Sequence, residues 1–118
     1  MQRSWWLRIV AVVGGILLAG LCIMLVETLA HRMLTEEGLF AAAVAGQLVG
    51  ALVGGSAAVR LAGGPLYGWI VTGALALLSG INVASFPHPA WFIPAAIAAL
   101  ALGGWLASRT APRARAAP

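Results

Sequence analysis

Charge is scarce in this chain: 8% of its 118 residues are charged and only three are acidic, while 62% are hydrophobic. A soluble domain carries about a quarter charged residues and needs polar atoms to cover its surface. That shortage sets aside a compact water-soluble core. Cysteine is limited to Cys22, which excludes an intrachain disulfide and leaves no cysteine-based metal or redox pair. Lying inside an apolar stretch, Cys22 reads as a small packing residue. Long alternating polar and apolar runs are also missing, which argues against a membrane barrel. The seven basic residues are scattered and form no nucleic-acid recognition module.

What the chain does have is apolar stretches of membrane length. A bilayer-spanning helix needs roughly 20 residues, so four with short connections use almost all of the chain. The expected fold is all-α, a polytopic bundle of four transmembrane helices forming one domain over residues 1–118. The helices are expected at about 5–31, 39–59, 65–86 and 90–108, with a basic tail over 109–118.

The first span has its apolar part at Ile9 to Val26, preceded by Trp5 and Trp6, aromatics of the kind that anchor a helix at the interface. Arg3 and Arg8 before it would suit a signal peptide, but the apolar run is long for one. Glu27, His31 and Arg32 also stand where a small-residue cleavage site belongs, so the helix is read as uncleaved. Thr35 followed by Glu36 and Glu37 suggests a helix cap, with Gly38 as a flexible break. In the second span Ala42, Gly46, Gly50, Gly54 and Ala58 recur every four residues, a stripe that lets another helix approach closely. That helix can belong to the same chain or to a second copy, which makes a homo-oligomer through the second helix one expectation.

Gly63, Gly64 and Pro65 mark the next turn. On the third span Gly68, Thr72, Leu75, Ser79 and Asn82 share one face, more polar than its surroundings and expected to point inward. The prolines around His88 favour a fixed connection over a continuous helix. Along the fourth span Ala95, Ala99 and Gly103 lie on one side, and Pro94 falls in the first turns.

Arginines set the expected topology. With the N-terminus in the cytoplasm, Arg3, Arg8, Arg60, Arg109, Arg113 and Arg115 fall on that side and Arg32 alone falls outside, as the positive-inside bias requires. Both termini are then cytoplasmic. Arg60 reads first as a topology determinant and second as a contact for anionic lipid headgroups or phosphate. Membrane lipids are the expected surroundings throughout.

On the outer side this topology gathers Glu27, His31, Glu36, Glu37 and His88. Glu27 and His31 stack on one helix face, and Asn82 lies one to two turns deeper on the third helix. Glu27, His31, Asn82 and His88 are therefore the candidate polar cluster. Carboxylate and imidazole suit zinc or another divalent metal, with Glu27, His31 and His88 as candidate ligands. They also suit proton exchange, with a path inward through Asn82, Ser79 and Thr72 to Gln47. The plain alternative is structural: Glu27 at the hydrocarbon edge pairing locally, His31 stabilising a helix C-terminus, His88 capping a turn, Trp91 anchoring the interface and Gln47 bonding between helices.

The segments VETLAH, ALVGGSAAVRLAG and GINVASFPHPAWF resemble a widespread group of small, uncharacterised bacterial four-helix membrane proteins. The likeness covers most of the chain and rests on Glu27, His31, Gly54, Gly55, Arg60, Asn82, Pro87, His88, Pro89 and Trp91. The first outer loop looks shorter than the group's usual one, implying a shallower recess. The resemblance implies a multi-pass protein of the bacterial inner membrane and supplies no reaction. Small multidrug transporters share the length and helix count, but their essential acid lies within the first helix, whereas Glu27 lies at its end.

Three functions follow as expectations. The first is transport-related handling of a small solute, proton or divalent metal at an outward-facing Glu/His site. The second is a non-catalytic structural or partner-binding membrane module. The third, least supported, is a metal-dependent membrane enzyme acting on lipid or quinone; the balance leans against catalysis.

Overall fold

The computed structural model describes residues 4–33, 35–85 and 87–111, and of Glu36 and Glu37 the backbone alone. Arg3, Phe86, Arg113 and Arg115, which entered the reading of topology and spans, lie outside the described residues. Four helices follow in chain order: α1 (Trp5–Met33), α2 (Glu36–Ala62), α3 (Leu66–Val83) and α4 (Phe92–Ser108). They run up and down in an elongated bundle of 56 × 25 × 23 Å. The N-terminal end of α1 and the C-terminal end of α4 share one end, the termini end. The α1–α2 and α3–α4 connections share the far end.

Local chemistry sets the helix limits. Thr35 occupies the N-cap of α2 with an extended backbone, yet its side chain makes no capping hydrogen bond. Its carbonyl accepts the Leu39 N–H at 3.0 Å. Gly38, expected to break the chain, instead lies inside the first turns of α2, because the helix begins before it at Glu36. At the other end Gly63 turns left-handed at φ 88° and donates its N–H to the Val59 carbonyl at 2.8 Å, a conformation glycine adopts without a Cβ penalty.

Helix α3 ends at Val83, short of the expected Phe86, in a turn where the Ser85 N–H reaches the Asn82 carbonyl at 3.0 Å. Pro87 disfavours helical dihedrals just before it. Helix α4 starts at Phe92, two residues later than expected, and the Phe92 N–H bonds the Pro89 carbonyl at 3.1 Å. Pro94 falls where first-turn N–H groups have no partner within the helix.

Three helices, α1, α2 and α3, are long and apolar enough to cross a membrane, and α4 is a shorter apolar helix of 17 residues. At about 1.5 Å per residue, α4 still covers about 26 Å, close to the roughly 30 Å of hydrocarbon in a bilayer. Large apolar side chains cover the outside. Ile9, Val13, Leu17, Leu21 and Leu25 run down α1, Ile70, Leu77 and Ile81 down α3, and Ile93, Ile97 and Leu102 down α4, all exposed. Such a surface is a liability in water and ordinary in lipid. This is an all-α, multi-pass membrane bundle.

Small residues hold it together. Helix α2 touches all three others, while among the described residues α1 and α4 do not meet. Its stripe packs on α1: Gly46 against Ile23 and Val26, Gly50 against the Ala19 carbonyl and Ile23, Gly54 against Gly15 and Ala19. Ala58, next on the stripe, is fully buried, and Ala42 is half-buried. The stripe is thus filled within one chain. On other faces Gly55 meets Ala107 and Gly68, and Gly103 meets Ala51 and the Leu48 backbone. Lipid is as apolar as the side chains, so close van der Waals packing of this kind drives helix association in place of the hydrophobic effect.

Aromatic groups mark both ends. Trp5 and Trp6 stack with centroids 4.6 Å apart at the termini end, where Arg109 lies over the Trp105 ring at 5.0 Å. Trp91 is exposed at the far end. Rings at both levels fit an interfacial belt.

Candidate functional site

The site begins with the way α3 packs. Its first half is pinned: Gly68, Val71, Thr72 and Leu75 are buried. Gly68 lies against Val59 and Ala107, and Thr72 lies against Gly104. Beyond Leu75, Ala76, Leu77, Leu78, Gly80, Ile81 and Asn82 are all exposed. From Ala76 to Val83 no residue of α3 is fully buried. A cleft of about 650 Å³ opens there, walled by residues from all four helices.

Most of the wall is apolar, with Leu39, Phe40 and Ala43 from α2, Ala76, Gly80 and Val83 from α3, and Phe92, Ile93, Ala96, Ile97 and Leu100 from α4. Phe40 and Phe92 meet edge to face, centroids 5.3 Å apart, and join α2 to α4 beside the cleft. Five polar side chains interrupt this surface: Glu27 and His31 from α1, Gln47 from α2, and Ser79 and Asn82 from α3. Glu27 and His31 are one helical turn apart on one face, Glu27 half-buried and His31 exposed. Within the described residues no hydrogen bond or ion pair engages either side chain.

Gln47 is the innermost polar group. The residue is 8% exposed, and its buried Oε1 has no hydrogen-bond partner. Its depth follows from its neighbour Gly46, which lies beside Ile23 and Val26 of α1. Gln47 is therefore level with those residues, about one turn or about 5 Å deeper than Glu27. Among the described residues this oxygen is closed off from the cleft and lacks the interhelical bond that such a group usually finds.

The structure brings together Glu27, His31 and Asn82 of the expected cluster and Gln47, Ser79 and Asn82 of the expected path. Two residues stand elsewhere. Thr72 does not line the cleft: its hydroxyl donates to the Gly68 carbonyl at 2.9 Å, within α3, and it fills the contact with Gly104. The polar track thus ends at Gln47. His88 is not on the wall; its ring lies beside Phe92, centroids 6.0 Å apart. Consistent with this, no group of three or more His, Cys, Asp or Glu side chains is placed to hold a metal ion among the described residues. Glu36 and Glu37 have no described side chains, and Arg60 is exposed in the last turn of α2, at the termini end and away from the cleft.

Sequence reasoning passed over the apolar wall. Its signal was present: Leu39, Ala43 and Gln47 recur every four residues on α2, as do Phe92, Ala96 and Leu100 on α4, so each set shares a face. Ala11, Gly15 and Ala19 form a small-residue stripe on α1 that matches the one on α2, and all three are buried. The chain matches no protein-family model, no curated protein and no solved structure.

Proposed function

We propose that this chain is a non-catalytic membrane module that binds a partner molecule in the far-end cleft. The supporting observation is that Glu27, His31, Gln47, Ser79 and Asn82 all stand on the wall of one cavity, large enough for a ligand, among apolar neighbours. Binding sites are built this way, with apolar walls and a few convergent polar groups. All four helices of a single chain supply the wall, and the α2 stripe is already filled by α1. The recess is complete without a second copy.

In this reading both termini are cytoplasmic and the cleft opens outward, in keeping with the arginine distribution. The membrane is the bacterial inner membrane, as the resemblance implies. Arg60, exposed at the termini end, then meets anionic headgroups on the cytoplasmic side.

The test is retention of a bound molecule. Gly80 lines the cleft, and a Cβ there would meet nothing within 4 Å. Gly80→Leu therefore fills the recess from an unobstructed position. Native mass spectrometry of the intact chain should show a small molecule retained by the wild type and lost in Gly80→Leu, with helicity unchanged. Equal retention by both would overturn the reading.

A second reading, transport-related handling of a proton, small solute or divalent metal such as zinc, is favoured by Glu27 and His31 sharing the wall. Any species entering the cleft meets that pair before Gln47. Proteoliposome flux that falls in Glu27→Gln would support it, and flux indifferent to Glu27 would end it.

A further inference from the structure

We infer that Arg8 and Tyr67 hold the phosphate of an anionic phospholipid at the termini end of the bundle. This site is separate from the cleft, and its test is independent of the binding reading above. Arg8 lies two turns from Gly15 on the same face of α1, and Gly15 packs against Ala58 of α2 and Val71 of α3. Tyr67 lies one turn from Val71 along α3, in the same direction, and packs on the core. Both residues thus stand where α1 and α3 meet, their levels about 4.5 Å apart along the bundle. Helical side chains lean toward the helix N-terminus, which for α1 and α3 is the termini end. Both polar tips are therefore carried toward the same membrane surface.

Arg8 is half-buried. Its Nε is sealed from solvent while its two Nη groups are not, and among the described residues no hydrogen bond, ion pair or ring contact engages the side chain. Tyr67 is also half-buried, its ring against Gly64 and its accessible hydroxyl without a partner among the described residues. The guanidinium keeps its charge at any physiological pH. The three acidic residues of the chain, Glu27, Glu36 and Glu37, all lie toward the far end, so no side-chain carboxylate neutralises Arg8. An anchored cation beside a free hydroxyl calls for an anion with several acceptor oxygens, and the planar fork of arginine matches phosphate.

Depth selects a lipid as the source of that phosphate. Trp5 and Trp6 stack in the interfacial belt, and Arg8 follows them within one turn. Ile9 and Val10 on α1, and Leu66 and Ile70 on α3, are exposed beside the pair and give acyl chains an apolar surface. Phosphatidylcholine offers the same phosphate but brings its own cation toward Arg8 and Arg109. A net-anionic headgroup is therefore preferred.

The experiment releases the full chain from nanodiscs of equal phosphatidylglycerol and phosphatidylcholine and counts retained lipids by native mass spectrometry. Wild type should retain phosphatidylglycerol about tenfold over phosphatidylcholine. Arg8→Gln should bring that ratio within about twofold of unity, and Arg8→Lys, which keeps the charge without the fork, should fall between. Tyr67→Phe should lower the ratio about threefold; it removes one oxygen atom and tests the site even if Arg8→Gln does not fold. Arg109→Gln removes the same charge from the same end, where Arg109 lies over the Trp105 ring, and should leave the ratio unchanged.

Equal losses in Arg8→Gln and Arg109→Gln would reduce the effect to net charge and overturn the inference. A wild-type ratio near unity would overturn it too, and an unchanged ratio in Tyr67→Phe would remove Tyr67 from the site. Inorganic phosphate added to the buffer should not displace the lipid. Displacement that depends on Arg8 would assign the site to a free anion and overturn the lipid as its occupant.

Discussion

Gly15 and Gly54 meet backbone to backbone. A methyl group on Gly15 would stand 2.6 Å from the Gly54 carbonyl oxygen, and one on Gly54 would strike the Gly15 carbonyl. The neighbour in each case is main chain, which cannot swing aside. Gly54→Ala should therefore push α1 from α2 and destabilise the bundle by about 1–3 kcal/mol. Gly46→Ala, whose Cβ would have its nearest neighbour at 3.6 Å, should be nearly neutral. Reversible unfolding in mixed micelles measures both, and equal effects would contradict the close contact.

Gln47 makes the opposite kind of prediction. Its buried oxygen is unpartnered, so replacing the amide with a hydrocarbon of similar size removes an unmet hydrogen bond. Gln47→Leu should leave the protein as stable or raise its stability by about 1 kcal/mol. A gain in stability would show that the amide is not interhelical glue. A marked fall in stability would mean that the amide holds helices together.

Gly80, on the cleft wall, and Gly104, packed against Thr72 outside it, form a contrasting pair. A side chain at Gly80 enters open space, whereas a Cβ at Gly104 would come within 2.6 Å of the Thr72 hydroxyl oxygen. Gly80→Leu should keep the fold, helped by a helix-propensity gain of about 1 kcal/mol, and abolish retention of a molecule bound in the cleft. Gly104→Ala should instead lower stability by about 1–3 kcal/mol through overpacking. Melting curves and native mass spectra together separate the two effects.

Sidedness is testable with thiols. In a Cys22→Ala background, Arg60→Cys and Ala90→Cys place single thiols at exposed positions on opposite ends of the bundle. A membrane-impermeant maleimide should label Ala90→Cys in intact cells and Arg60→Cys only after the membrane is opened. The reverse pattern would place the termini outside.

Periodicity carried part of this structure and depth carried the rest. Recurrence every four residues put Gly46, Gly50 and Gly54 on one face of α2, and that face packs on α1, because small residues in lipid are useful only against another backbone. The same logic put Gly68, Thr72, Leu75, Ser79 and Asn82 on one face of α3. Only the first three are buried, with Ser79 half-buried and Asn82 exposed. A helical repeat assigns a face and says nothing about where a helix departs from its neighbours, which here depends on contacts with Val59, Ala107 and Gly104.

Glu27, His31 and His88 lie toward the same end of the bundle, and only the first two line the cleft. The prolines correctly predicted a non-helical connection, in which the His88 ring lies beside Phe92 and off the cleft wall. Gln47 was read as a mid-membrane amide with interhelical bonding as its default. Its unsatisfied oxygen is a tertiary property with no trace in local sequence.

The contact of Thr72 with Gly104 works as a fulcrum. Ten residues separate Thr72 from Asn82, an arm of about 15 Å. A tilt of about 5° at the fulcrum moves the free end by about 1.3 Å over that arm. Substitutions at Gly104, remote from any ligand, therefore alter the width of the aperture and with it the molecules admitted.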